Sequence, residues 1–381
     1  MKRQAVVPET QAVIDRARMA GLDVAGVAPA TAFVHTRQHL EDRKASGLNA
    51  SMEFTYRRPE RSTDPRFTLP SAEALVVGAL GYNRGSPEPA TEGLAARIAR
   101  YSWSDHYEIL RDALREVATW LKSEGWKAVV VADDNALVDR EAAYQAGLGW
   151  YGKNANLLLP GQGSWFVLGS IITNAPLEPT GPPMQNACGS CVRCIDACPT
   201  SAIVAPGVVD ARRCLAWLIQ APGVFPLEHR VALADRIYGC DDCQEVCPPN
   251  RTAERKGKGQ ANEVVRGQIA TPWADLLHLL ALDDETLLAT YGRWYINSRN
   301  PAYLRRNALV ALGNVASPHD TQVQEALEQA ASHPDSLVAA HAVWAAKRLG
   351  LLERIRHLLP CSDELVRSEL SYDVAIRDDL I

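Results

Sequence analysis

Eight of the nine cysteines fall in two short runs and one intervening position. Cys188, Cys191, Cys194 and Cys198 precede Pro199 as C-x2-C-x2-C-x3-C-P. Cys240, Cys243 and Cys247 precede Pro248 as C-x2-C-x3-C-P, and Cys214 lies between the runs. Eight thiolates are what two cubane [4Fe-4S] clusters require, and short loops let neighbouring sulfurs converge on a body a few ångströms across. In runs of this kind the last cysteine crosses to the other cluster. Cys188, Cys191, Cys194 and Cys247 then hold one cluster. Cys198, Cys214, Cys240 and Cys243 hold the other, with Cys214 replacing the missing first cysteine of the second run. The prolines delay helix formation after each run. Disulfides do not suit a chain with no mark of secretion. Zinc favours pairs of C-x2-C separated by a longer spacer, not a run of four ending in C-P. Cys361 is left over as an ordinary thiol.

The elements that must position these thiolates belong to a chain of 381 residues, 47% hydrophobic and 22% charged, long enough for two or three domains. Its N-terminus is basic but lacks a following apolar stretch, so no signal peptide is expected, and no run has transmembrane length. A cytoplasmic, reducing location and no membrane partner follow as expectations. The net charge of −5 gives no global attraction to nucleic acid, so any such contact needs a local basic patch. Periodicity predicts a helix over Glu9–Ala20, strands over Ala25–Val27 and Ala74–Leu80, and a helix over Tyr107–Glu124 stopped by Gly125. Lys127–Ala132 and Trp165–Thr173 complete a mixed α/β sheet domain. Pro176, Pro179, Pro182 and Pro183 mark a boundary, and Arg251–Lys258 reads as a basic connector. From about Trp273 the pattern is helical. NALVALG from Asn307 and HAVWAAK from His341 match at an offset of 34 residues. Stacked helical-pair repeats and an unrelated helical bundle both suit that pattern.

The contexts of the cysteines are CGSCVRCIDACPTSAI and RIYGCDDCQEVCPPN. With ADDNALVDREAAYQAGLGWYGKN and GSWFVLGSIITN upstream and RNPAYLRRNALVALGN downstream, the chain resembles the epoxyqueuosine reductases over most of its length. The resemblance implies an α/β + α architecture. Residues 1–178 would form a cobalamin-binding catalytic α/β domain, 179–255 a ferredoxin-like double [4Fe-4S] domain, and 256–381 a HEAT-like helical tRNA-binding domain. It implies reduction of epoxyqueuosine at the tRNA wobble position to queuosine and water, with two electrons and two protons. Two [4Fe-4S] clusters, cobalamin, an external electron donor and a monomeric chain come with it. Clusters deliver electrons singly, and cobalamin can gather them. No D-x-H-x-x-G segment offers a histidine to cobalt, and the family binds its corrinoid without one.

The resemblance also implies residue roles. The aspartate opening DDNALVDR maps to Asp133, with Asp134 one register step away, and would protonate the oxygen leaving the epoxide. Burial beside a corrinoid would keep such an acid protonated. Cobalamin contacts would come from Arg61, Asp133, Leu157, Leu168, Ile171, Leu215 and Gln220. Gly147, Gly149 and Gly152 suit either a tight turn or close approach to the corrinoid, and Arg140 belongs to the same block. The segment YSWSDHYE departs from the family's D-Y-H, and either His106 or Tyr107 is expected to face the substrate. Arg251, Arg255, Lys256 and Lys258, with Arg299, Arg305 and Arg306, are the candidates for tRNA phosphates. Trp294 and Tyr295 suit stacking on a base or packing in the core. Two other classes compete: a corrinoid iron–sulfur reductase acting on a small molecule, and a ferredoxin-type electron carrier. The long block before the clusters counts against a carrier. The missing twin-arginine signal and the C-terminal helices count against a dehalogenase-like enzyme.

Overall fold

The computed structural model describes residues 7–83, 94–256, 264–265 and 268–377. The chain divides into two compact units. The first comprises 1–86, 104–212 and 241–270, and the second 87–103, 213–240 and 271–381.

The first unit is built on a four-stranded sheet in the order Val24–Pro29, Ala74–Gly81, Phe166–Thr173, Ala128–Val131, antiparallel throughout. Every residue of Phe166–Thr173 is buried, which explains why this strand reads as a continuous apolar run rather than an alternating one. Helices cover one face. His106–Ser123 presents Leu110, Ala113, Leu114, Val117 and Leu121 at helical spacing, and Asp105 caps it by accepting the Glu108 N–H at 2.8 Å. Gly169 lies on this face, because a Cβ there would meet Leu114 and Ala132. The other face packs Leu75, Val77, Leu168 and Ile172 against Ala142, Ala143, Leu148, Leu157 and Phe33.

The cysteine segments of the first unit are short. The helical turns Arg193–Asp196 and Asp242–Glu245 pack against each other. Residues 251–255, expected in a connector, instead lie in a helix, Pro248–Arg255. Its prolines fall in the first turn, where the missing N–H costs nothing.

The second unit holds a small sheet ordered Arg236–Tyr238, Ala95–Ile98, Trp273–Asp275, then helices. The two matching segments fall on helices Ala302–Val315 and Ser336–Arg348, which pack together. Gly313 permits their close approach: a Cβ there would lie 2.8 Å from the Trp344 ring and 3.0 Å from Ala345 Cα. No helix among the described residues is long and apolar enough to cross a membrane.

Candidate active site and thiol cluster

The strand Ala128–Val131 ends on a tight loop that carries Asp133. This residue has φ of +54°, the left-handed region that few residues other than glycine, asparagine and aspartate adopt. The ties are local. Asp139 Oδ2 accepts the Asp133 N–H at 3.2 Å, and Asp134 Oδ1 accepts the Ala136 N–H at 2.7 Å. Asn135 Oδ1 accepts the Thr55 N–H at 2.9 Å, and the Val138 N–H reaches Ser62 O at 2.9 Å. The Asp133 side chain reaches solvent. Even so, the atoms packed around it raise its carboxyl above the ordinary value, Asp134 and Asp105 add repulsion, and Arg111 opposes them. Asp134 spends its side chain on the turn, which favours Asp133 as the acid of the pair.

The same neighbourhood separates His106 from Tyr107. His106 is 2% exposed and stacks on Tyr82, with centroids 5.4 Å apart. Tyr107 faces the loop instead: burial, then Asp133 and Asp139, hold its phenol well above the usual range. A cavity of about 250 Å³ opens beside the loop, lined by Thr55, Arg57, Arg58, Arg61 and Asn135. Sequence reasoning missed Asp139 and the two extra arginines. DDNALVDR carries Asp139 in plain sight, but only the turn shows what it does.

Cys188, Cys191, Cys194 and Cys247 come together within the first unit. Burial and the other three thiols push Cys247 up to about 11, and Cys194 rises through burial with Cys188 and Cys191 adding to it. Four thiols crowded in this way resist ionisation one by one, whereas a cationic cluster takes them as thiolates. No set of three metal-ligating side chains among the described residues closes round a single ion. The helix following Cys247 is fixed by Asn250, which has no exposed surface. Asn250 Oδ1 accepts the Ser164 N–H at 2.6 Å, and its Nδ2 donates to Ser164 Oγ at 2.9 Å and Gln244 O at 2.8 Å.

The WYGKN segment anchors both cysteine runs in the first unit. Lys153 Nζ donates to Gly189 O at 2.7 Å, Asn154 Nδ2 to Cys243 O at 3.4 Å, and Asn186 Nδ2 to Tyr151 O at 2.8 Å. The neighbouring glycines serve this hairpin. A Cβ on Gly149 would strike the Leu158 carbonyl, and one on Gly147, at φ +69°, would lie 2.9 Å from Pro182 O. The turn reading of Gly147 and Gly149 thus has a packing reason, and it leaves close approach to a corrinoid from another side open. Arg140 Nη1 donates to Ala155 O at 3.0 Å, bracing the same segment. Cys198 and Cys243 belong to the first unit, and Cys214 and Cys240 to the second.

Several other expectations change. Leu157, Leu168 and Ile171 are enclosed in the core, with Ile171 on the opposite sheet face from Leu168, so their side chains pack in two separate layers. Arg61 is exposed at the cavity. In the second unit Leu215 is buried, and Gln220 lines a small cavity with Tyr238, Tyr295 and Tyr303. Arg305 and Arg306 cannot meet phosphate. Arg305 is buried against Asp284 and Leu282 O. Arg306 donates to Leu218, Ile219, Ala221 and Gly223 carbonyls, and burial lowers it to about 9. Arg251, Arg255, Lys256 and Arg299 are exposed, and Lys258 lies outside the described residues. Trp294 is buried in a stack on Tyr238 at 4.5 Å, whereas Tyr295 is exposed.

Residues 187–250 match a family model described as a 4Fe-4S double cluster binding domain, and 62–134 match one described as epoxyqueuosine reductase QueG, DUF1730. An epoxyqueuosine reductase of Staphylococcus aureus is 31% identical over 88% of this chain and 87% of its own length. That of Xanthomonas campestris pv. campestris is 35% identical over 82% and 88%. Among solved structures, an epoxyqueuosine reductase crystallised with an epoxyqueuosine-modified tRNA-Tyr stem loop superposes with a TM-score of 0.84 at 29% identity, covering 94% of this chain and 96% of that one. A Bacillus subtilis epoxyqueuosine reductase, with its aspartate catalytic loop swung out of the active site, gives 0.82 at 29% identity, with the same coverage.

Proposed function

The chain belongs to the epoxyqueuosine reductase family, and from that membership we propose that it removes the epoxide oxygen of epoxyqueuosine at the wobble position of a tRNA. The reaction consumes two electrons and two protons and yields queuosine and water. The observation that carries the chemistry is Asp133, a strained, partly enclosed carboxyl held above its ordinary pKa. In its acid form it protonates the oxygen as the C–O bond opens, so no bare alkoxide forms. Tyr107 sits beside it to orient that oxygen.

Iron–sulfur clusters are part of this function, as the double-cluster match requires. We assign Cys188, Cys191, Cys194 and Cys247 to the first. From spacing alone we assign Cys198, Cys214, Cys240 and Cys243 to the second. Cobalamin is the proposed partner of the clusters, and when bound it supplies a metal centre that gathers single electrons. The polar cavity beside the acid loop suits its amide- and phosphate-bearing rim: Arg57, Arg58, Arg61, Thr55 and Asn135 would donate to it. Arg251, Arg255, Lys256 and Arg299 would meet tRNA phosphates. The divisions 1–178, 179–255 and 256–381, HEAT-like packing of the last, a cytoplasmic monomer and an external electron donor complete the proposal. A pure electron carrier is disfavoured, because the similarity to reductases covers the catalytic block as well as the clusters.

The test is anaerobic reconstitution with iron, sulfide and cobalamin, then nucleoside analysis of tRNA carrying epoxyqueuosine. Queuosine should accumulate with wild-type protein. Unchanged epoxyqueuosine under full reconstitution refutes the reading.

A further inference from the structure

We propose that Asp139 is a positioning residue, a latch that holds the Asp133 loop in its working conformation. The inference rests on the reading of Asp133 as the acid. A φ of +54° is uncommon outside glycine, and although aspartate tolerates it better than most residues, a tie favours it over the extended alternative. At Asp133 itself, among the described residues, the hold is one hydrogen bond, from its own N–H to Asp139 Oδ2 at 3.2 Å. Asp134, Asn135 and Val138 secure the rest of the loop, but none of them grips the residue that carries the acid.

The second oxygen of Asp139 is as informative. Oδ1 is buried and has no hydrogen-bond partner among the described residues. An ionised carboxylate with one bare buried oxygen is costly, while a neutral carboxyl tolerates the site. Burial, with Asp133 and Asp134 adding repulsion, holds Asp139 well above the carboxylate range, opposed by the Asp133 N–H and by Arg140. Tyr107, from the facing helix, is the other titratable neighbour, and Arg111 and Asp105 reach Asp133 from that same helix. In its neutral form Asp139 can accept the amide without adding a charge beside the acid. Ionisation would set a negative charge beside the acid and near Asp134, although a carboxylate is itself the stronger acceptor of the Asp133 N–H.

Asparagine keeps an acceptor oxygen at this position, and alanine removes it. Hydrogen exchange of the peptide spanning 132–138 in the full chain separates the two. Asp139→Ala should exchange at least about tenfold faster there than wild type, a factor the loss of one protecting hydrogen bond supplies, while Asp139→Asn stays near wild type. Peptides elsewhere should be unchanged. If Asp139→Ala does not fold, Asp139→Leu fills the volume without an acceptor and carries the same comparison. In the reconstituted enzyme the alkaline limb of the pH–rate profile should move to lower pH in the acceptor-free variant, because a released Asp133 is hydrated. In Asp139→Asn it should lie where the wild type's does. Equal exchange in wild type and the acceptor-free variant overturns the latch, and so does loss of protection in Asp139→Asn. Absence of reductase activity in the wild type would instead refute the proposed function, leaving the exchange result to judge the latch.

Discussion

An aspartate serves as an acid near neutrality only where its surroundings oppose ionisation. The atoms packed around a carboxyl that still reaches solvent do this for Asp133, aided by Asp134 and Asp105 and resisted by Arg111. Asp133→Asn should therefore lower the single-turnover rate by about 10²–10⁴-fold, the usual worth of a general acid, while tRNA binding measured by filter retention persists. The wild-type rate should hold at low pH and fall as pH rises through the elevated pKa, since the acid form is the one consumed. Asp139 follows the same sign in stability. Its folded-state pKa lies above the unfolded one, so its contribution is full below the ordinary carboxylate value and is lost as pH rises through the raised value. At this scale the thiolates stand out in the sequence by their spacing, whereas Asp133 is singled out only by the family block it opens. The separation of His106 from Tyr107 was not legible. Both open the same helix, and only the Tyr82 stack shows which of the two turns inward.

Elements explain why some charges had been misjudged. The helix Ala302–Val315 is buried on nearly all sides, so its arginines have no solvated face to occupy. Sequence offers no mark for that, because Arg306 is paired with backbone carbonyls rather than with an acid. Arg306→Leu strands several buried carbonyls and should cost about 3–5 kcal/mol, read as a fall in thermal midpoint. Arg230 and Glu369, 1% and 4% exposed, form a two-pronged pair at 2.8 and 2.5 Å. Glu369→Gln should cost a similar amount, about 3–5 kcal/mol, because a buried guanidinium loses its counter-charge. Asn250→Ala leaves the Ser164 N–H buried without an acceptor, at a cost of about 1–3 kcal/mol. It should also reduce iron retained per chain toward half, measured by metal analysis. The strands and the helices flanking the sheet were readable because apolar runs and 3.6-residue stripes survive in a sequence. The helix after Cys247 was not, because its polar residues resemble a linker until the buried Asn250 is seen.

At the scale of the whole molecule, the second unit carries its own pH sensitivity. His341 is fully buried, accepts the Phe225 N–H through Nε2 at 3.2 Å and donates from Nδ1 to Leu337 O at 2.7 Å, so it is neutral. Burial, then Arg230, hold its pKa well below the ordinary value. The unfolded chain binds a proton there that the folded chain refuses, so stability is full above about pH 6.5 and falls as pH drops below it. His341→Gln should flatten that acid limb in denaturant titrations at successive pH values. The division into two units had no signature in the chain, because each unit is assembled from three separated stretches. The Asn250 clamp carries a consequence for biosynthesis. It reaches back 86 residues to Ser164, and the turn it closes presents Cys247. Under the proposed assignment, a nascent chain with its first three cysteines already exposed still lacks both the fourth ligand and the residue that seats it. Loading of that cluster would then wait until translation has passed residue 250, and until then the early thiols would be open to oxidation.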